Sequence, residues 1–204
     1  YARAGATALG AGVFTVGEAI AAAHQNEAIL AAEAIGTKTL TVTVTAGTAI
    51  DENELQGGEF LINDATGEGH TYVIESNTAI TTATTEVNLT LKRGLKDALD
   101  TTSEFTLIRN PMWGAIVSTT LTLPLIGVTP IAVTADYYFW AQRVGNCSVL
   151  NDSTTMVTGQ NIEQGAGTSG GMTLATATDT VPHLGRCIYA PAAGEYANIW
   201  LSME

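Results

Sequence analysis

Lys38-Thr39-Leu40-Thr41-Val42-Thr43-Val44 alternates threonine and lysine with aliphatic residues, the period of a strand that buries one face and wets the other. Strand readings recur downstream at 59–63, 70–76, 86–91 and 105–109. Between the first two, Asp64-Ala65-Thr66-Gly67-Glu68-Gly69 supplies the side-chain acceptors and permissive backbone of a reversal, which predicts a hairpin over 59–76. Further strands are read at 137–144 and 147–150, separated by a Gly145-Asn146 reversal. A last hairpin pairs 184–189 with 196–203. In its second strand Ala197, Ile199, Leu201 and Met203 share one face, and Tyr196, Asn198, Trp200 and Ser202 the other. Short strands at this spacing predict an all-β protein of two small β-barrel or β-sandwich units.

Working outward, residues 1–35 are rich in Ala and Gly and lack that period, so they are expected as an N-terminal arm. Within them 18–34 reads either as an Ala-rich helix or as chain lying across the body, because His24-Gln25-Asn26-Glu27 interrupts any apolar stripe. The first β unit spans 36–110, with a short helical turn allowed in 92–100. Pro111, Pro124 and Pro130 mark 111–130 as a connection, since proline removes a ladder donor and fixes φ. The C-terminal β unit spans 131–204.

The chain has 204 residues, 46% hydrophobic and only 14% charged, with 20 acidic against 8 basic side chains and a net charge of -12. That length fits one large or two small domains at about 150 residues each. The excess negative charge disfavours nucleic acid and anionic lipid as partners. No window approaches the roughly 18 uninterrupted apolar residues of a membrane helix. Residues 1–110 carry 14 acidic and 6 basic side chains and 111–204 carry 6 and 2, so the acidity lies mainly in the first half.

Few residues suggest a reaction. Gly167-Thr168-Ser169-Gly170-Gly171 matches the Gly-x-Ser-x-Gly string of serine hydrolases, but that elbow needs a buried strand before it and a helix after it. Met172-Thr173-Leu174 is strand-like, so a Gly/Ser loop is the better reading; the enzyme alternative pairs Ser169 with His183 or His70. The three histidines, His24, His70 and His183, are too scattered to suggest a metal pair. Glu68 and His70 flank a turn and are expected to serve it. Asp51-Glu52-Asn53-Glu54 departs from a calcium loop at Leu55 and Gln56 and is expected to be a solvated acidic link. Cys147 and Cys187 could pair only if their strands adjoin, and otherwise act as small buried apolar residues. The expectation is a protein that is not an enzyme and holds no metal or cofactor.

Two stretches resemble segments of virion structural proteins of tailed bacteriophages. They are Gly57-Gly58-Glu59-Phe60-Leu61-Ile62-Asn63-Asp64-Ala65-Thr66-Gly67-Glu68-Gly69-His70-Thr71-Tyr72 and Ile131-Ala132-Val133-Thr134-Ala135-Asp136-Tyr137-Tyr138-Phe139-Trp140-Ala141-Gln142. With Gly185-Arg186-Cys187 and Gly194-Glu195-Tyr196, they are similar to capsid decoration, or cement, proteins. The likeness spans most of 36–204 and rests on strand and turn signatures.

The resemblance implies a symmetric homo-oligomer, a homotrimer or homodimer, assembled in the host cytoplasm. It would bind the major capsid protein on the outer surface of the virion and clamp neighbouring subunits of the expanded head. Trp113, Tyr137, Tyr138, Trp140 and Trp200 are candidate interface anchors, because aromatic rings bury large area with few rotors, and the competing reading places them in barrel cores. Lys92, Arg93 and Lys96 form a basic patch that could dock an acidic surface or could simply face solvent. Two alternative functions remain: a tail, baseplate or head-fibre component contacting the host, and an extracellular bacterial adhesin or surface module.

Overall fold

The computed structural model describes residues 1–175 and 182–203. The regular structure is almost all strand, and the expected all-β class holds. In chain order the strands are β1 (Ala2–Ala4), β2 (Phe14–Val16), β3 (Glu27–Ala28), β4 (Thr39–Thr43), β5 (Glu59–Asp64), β6 (Thr71–Asn77), β7 (Glu86–Leu91) and β8 (Glu104–Ile108). They continue with β9 (Trp113–Ala115), β10 (Leu125–Val128), β11 (Tyr138–Phe139), β12 (Val144–Leu150), β13 (Asn161–Gln164), β14 (Met172–Leu174), β15 (Gly185–Tyr189) and β16 (Tyr196–Ser202).

The chain forms two units, but not in simple succession. Ala19–Asn110 makes one, here the inserted unit, while Tyr1–Glu18 and Pro111–Glu204 together make the other, the discontinuous unit. The expected division into an arm, a first unit, a connection and a second unit is therefore replaced by an insertion. Residues 1–18 supply β1 and β2, and the stretch expected as a connection supplies β9 and β10. These strands pair with one another: β1 runs parallel to β9, and β2 antiparallel to β10. The prolines sit at the flanks of those strands, Pro124 just before β10 and Pro130 after it, where no ladder donor is lost.

In the inserted unit six strands form a sheet in the order β3-β8-β5-β6-β7-β4. The hairpin expected over 59–76 is present as β5 and β6, with Glu59 opposite Val73 and Leu61 opposite Thr71. Its turn needs Gly67, which has φ +86 and whose Cβ would lie 2.7 Å from Leu99 Cδ2. The sheet curls nearly into a barrel: just beyond β4, the Thr45 N–H donates to the Ala23 carbonyl (3.1 Å) and its hydroxyl to Glu27 Oε1 (2.7 Å), joining the two edges. Inside lie Phe60 and Phe105, their ring centroids 5.2 Å apart, with Ile62, Ile74, Leu89 and Leu107.

The Ala-rich stretch 18–34 does not form a helix. A single 3-10 turn, Ala22–His24, precedes a left-handed Asn26 (φ 55) and β3, which pairs with β8. Sheet pairing and burial of His24 override alanine propensity, which is a weak prior. Residues 92–100 likewise contain bends but no helical turn.

The discontinuous unit holds a five-stranded sheet, β12-β16-β15-β13-β14, the two-stranded β10-β2 and the three-stranded β11-β1-β9. Phe14 and Val128 pack with Val149, Ile162, Ile199 and Leu201, so the β10-β2 pair covers the inner face of the five-stranded sheet. The last hairpin and its alternation hold, with Ala197, Ile199 and Leu201 buried and Tyr196, Trp200 and Ser202 exposed. The reversal expected at Gly145-Asn146 is absent. Both residues lie inside β12, paired opposite Leu201 and Trp200, because seven continuous pairs to β16 outweigh the local turn preference.

Candidate interaction surface

Three short strands build an exposed aromatic face on the discontinuous unit. In β1 the small Ala2 and Ala4 point inward and Arg3 outward. Across the sheet, Arg3 lies opposite Tyr138 on β11 and Trp113 on β9, so these three side chains form one outward row. The Arg3 guanidinium sits 4.9 Å from the Trp113 ring centroid and bonds Asp136 through its Oδ1 (3.0 Å) and its carbonyl (3.1 Å). That double hold fixes the loop leading into Tyr137 and Tyr138. The Ala4 N–H to the Tyr137 carbonyl (2.9 Å) and the Asp136 N–H to the Gly5 carbonyl (3.0 Å) fix it further.

Tyr1 stacks on Tyr138 at 5.1 Å with 6° between planes, and lies 5.5 Å from Trp140; Trp113 meets Tyr138 edge-on at 6.0 Å. Beside this cluster a groove of about 390 Å³ is lined by residues 130–134 and 137–140. Trp140 is 76% exposed, Ile131 68%, Tyr137 66% and Tyr138 50%. At 150–250 Å² per aromatic ring, the face presents on the order of 500 Å² of apolar surface, the size of the largest patch on an ordinary monomer, which is often functional. Tyr1, Trp113, Tyr138 and Trp140 are ordered by contact with one another, so little of their rotor entropy is lost when a partner covers them.

Trp113, Tyr137, Tyr138 and Trp140, four of the candidate anchors, thus lie on one face, with Trp113 half-buried and none of them filling a core. Trp200 does not join them. It projects from the outer face of the five-stranded sheet. Lys92, Arg93 and Lys96 are exposed but belong to the inserted unit, where the Lys96 N–H donates to Tyr72 Oη (3.0 Å). Sequence spacing does not place Arg3 or Tyr1 on this face, since only the register of β1 against β11, more than a hundred residues away, brings them there.

The Gly-x-Ser-x-Gly string is a loop wrapped around a carboxylate. A Cβ at Gly165, Gly167 or Gly171 would come within 3 Å of the Asp152 side chain, and the Gly167 N–H donates to Asp152 Oδ2 (2.8 Å). Burial alone would raise the Asp152 pKa, but the Thr168 hydroxyl and the N–H groups of Thr168 and Gly167 outweigh it and hold the carboxyl below its ordinary value. The loop also braces the core, because the Gly170 carbonyl accepts from the Phe14 N–H (2.8 Å). These residues do structural work that the sequence match had hidden.

The histidines lie in separate surroundings. His24 is buried in the inserted unit, His70 Nδ1 lies 2.9 Å from Asp97 Oδ2 in the same unit, and His183 Nδ1 lies 3.3 Å from Asn161 Nδ2 in the other. Among the described residues no group of three or more His, Cys, Asp or Glu side chains is placed to hold a metal ion. In the acidic link Glu54 pairs with Arg109, and its Oε2 accepts from the Asp51 N–H (2.5 Å). Cys147 and Cys187 both lie opposite Ile199, on either side of β16. Two strand spacings, about 9–10 Å, separate them, too far for a disulfide.

Compared with models of known families, with curated proteins and with solved structures, the chain matches none.

Proposed function

We propose that the protein is a structural virion component of the decoration type. It binds the outer surface of a tailed-phage capsid, contacts the major capsid protein and copies of itself, and clamps neighbouring subunits of the expanded head. The observation that carries this reading is the exposed aromatic face of Tyr1, Tyr138 and Trp140, held together by ring contacts, with Tyr137 in the apolar groove beside it. Such a face suits a fixed macromolecular surface, where large rigid rings dominate the binding energy. The sequence resemblance in 57–72 and 131–142 supplies the capsid as the partner. An acidic inserted unit is compatible with a solvent-facing position outside a DNA-filled shell.

The test is co-sedimentation with capsids that lack the protein. Wild type is expected to pellet with the shell, and a Trp140→Ala, Tyr138→Ala double variant to bind about 100-fold or more weaker, from at least about 2 kcal/mol at one central anchor and a smaller loss at the other. Equal binding by the double variant would remove the face from the mechanism. Failure of the wild type to pellet would sink the capsid reading itself.

A further inference from the structure

A second surface of the discontinuous unit has a different chemistry. On the outer face of the five-stranded sheet, Trp200 lies opposite Asn146 on β12 and Arg186 on β15, and Arg186 lies opposite Asn161 on β13. Four side chains therefore form one row across four adjacent strands, with Ser202 two residues from Trp200 on the same face and His183 Nδ1 3.3 Å from Asn161 Nδ2. A shallow groove of about 270 Å³ opens between Trp200, Arg186, Asn161, His183 and Ser202. Its floor is Gly185, with φ +154, where a Cβ would collide with the Trp200 carbonyl. No other residue can occupy that floor without moving β16, so the cleft beside the indole is kept open by backbone packing.

We infer that this groove binds a pyranose bearing a carboxylate, a uronic-acid-type sugar. The exposed indole of Trp200 offers a flat apolar platform for the C–H face of a sugar ring, and its N–H a donor. Asn146, Asn161 and Ser202 flank the platform with donors and acceptors at the spacing of neighbouring strands, which suits hydroxyl groups and not an apolar partner. Arg186 selects the charge. It is exposed, it makes no ion pair among the described residues, and it is one of only two basic side chains in 111–204, so its planar fork is open to a carboxylate. The volume fits one ring with the exits of its neighbours in solvent, so the site reads one residue of a chain. A single open face of this kind corresponds to a dissociation constant of about 1 mM, which several copies engaging one polysaccharide would lower through avidity. The site stands independently of the capsid reading.

The experiment is a titration of the isotope-labelled full chain, following the Trp200 indole N–H by NMR, with sodium glucuronate, glucose and sodium acetate as separate arms at constant ionic strength. Glucuronate is expected to give a saturable shift below about 50 mM. Glucose should bind at least about tenfold weaker, and acetate should move signals near Arg186 without saturating the indole. Trp200→Ala and Arg186→Gln, both at exposed positions, should keep the dispersed spectrum of the folded chain while losing glucuronate binding about tenfold or more. No saturable shift with glucuronate overturns the site. Equal affinity for glucose, retained in Arg186→Gln, overturns the carboxylate assignment. Movement of the same signals with protein concentration alone would assign the face to self-association and overturn the sugar.

Discussion

Replacing Phe14 with alanine separates an N-terminal arm from an N-terminal core strand. Phe14 has no exposed surface and packs in the cluster of Val128, Val149, Ile162, Met172, Ile199 and Leu201, all contributed by residues more than a hundred positions away. Removing a buried phenyl ring costs the transfer energy of its atoms and leaves a cavity, together about 3–5 kcal/mol. Against the roughly 5–15 kcal/mol that holds an ordinary domain, that is a large loss. All three tryptophans, Trp113, Trp140 and Trp200, lie in the discontinuous unit, so intrinsic fluorescence during urea unfolding follows that unit. With a slope of about 2 kcal/mol per molar urea, the fluorescence midpoint of Phe14→Ala should fall by about 2 M. A midpoint within about 0.3 M of wild type, which is about 0.5 kcal/mol, would show that residues 1–18 are dispensable packing and would refute the discontinuous unit.

Other consequences are testable separately. His24 is buried with Nε2 unpartnered among the described residues, and burial, then the nearby Arg109 charge, lowers its pKa against a smaller opposing effect of Glu27. The unfolded chain therefore takes up a proton near pH 6.5 that the folded chain refuses, so stability should fall as pH drops through about 6.5 toward the folded value. In His24→Gln that slope, measured by circular dichroism in urea between pH 7.5 and 5, should flatten; an unchanged slope would place the titration elsewhere. Burial pushes the Cys147 thiol up to about 11 and raises Cys187 as well, so both should react slowly with a thiol-exchange reagent at pH 8 until the protein is denatured. Rapid native labelling, or an intramolecular disulfide after mild oxidation, would contradict the strand register. Gln142 Nε2 donates to the Val144 (3.1 Å) and Asn146 (2.9 Å) carbonyls, occupying acceptors along the outer edge of β12. Gln142→Leu frees that edge for pairing with another chain, and sedimentation velocity should show larger species than wild type; an unchanged distribution would remove the side chain as an edge guard.

The fold was legible where a strand is long enough to display its period and its partner is near in sequence. The hairpin of β5 and β6 and the one of β15 and β16 meet both conditions, and the faces of Tyr196–Ser202 follow from alternation alone. Strands β1 and β2 meet neither. Each has three residues, β1 is built from alanines around an arginine, and its partners lie beyond residue 110, so neither composition nor period distinguishes it from an arm. The same blindness hid the insertion, since Pro111 punctuates the chain without indicating which strands it returns to. At the candidate surface, the aromatic run at 137–140 places three exposed rings by type, while Tyr1 and Arg3 required the sheet register. Trp200 looks equivalent in sequence, yet its neighbours across β12 and β15 are Asn146 and Arg186, polar and charged, which gives it different surroundings. The loop at 165–171 was readable as a loop from its glycines, but the Asp152 carboxylate it encloses comes from a separate strand end.

The most direct test of the function is an image of the intact particle, or of shells reconstituted with the purified protein, at a resolution that separates subunits. The account predicts ordered density on the outside of the head at junctions between capsid subunits, with the face of Tyr1, Tyr137, Tyr138 and Trp140 turned toward its neighbour. Shells without ordered density after saturation, or density confined to the tail, would contradict it.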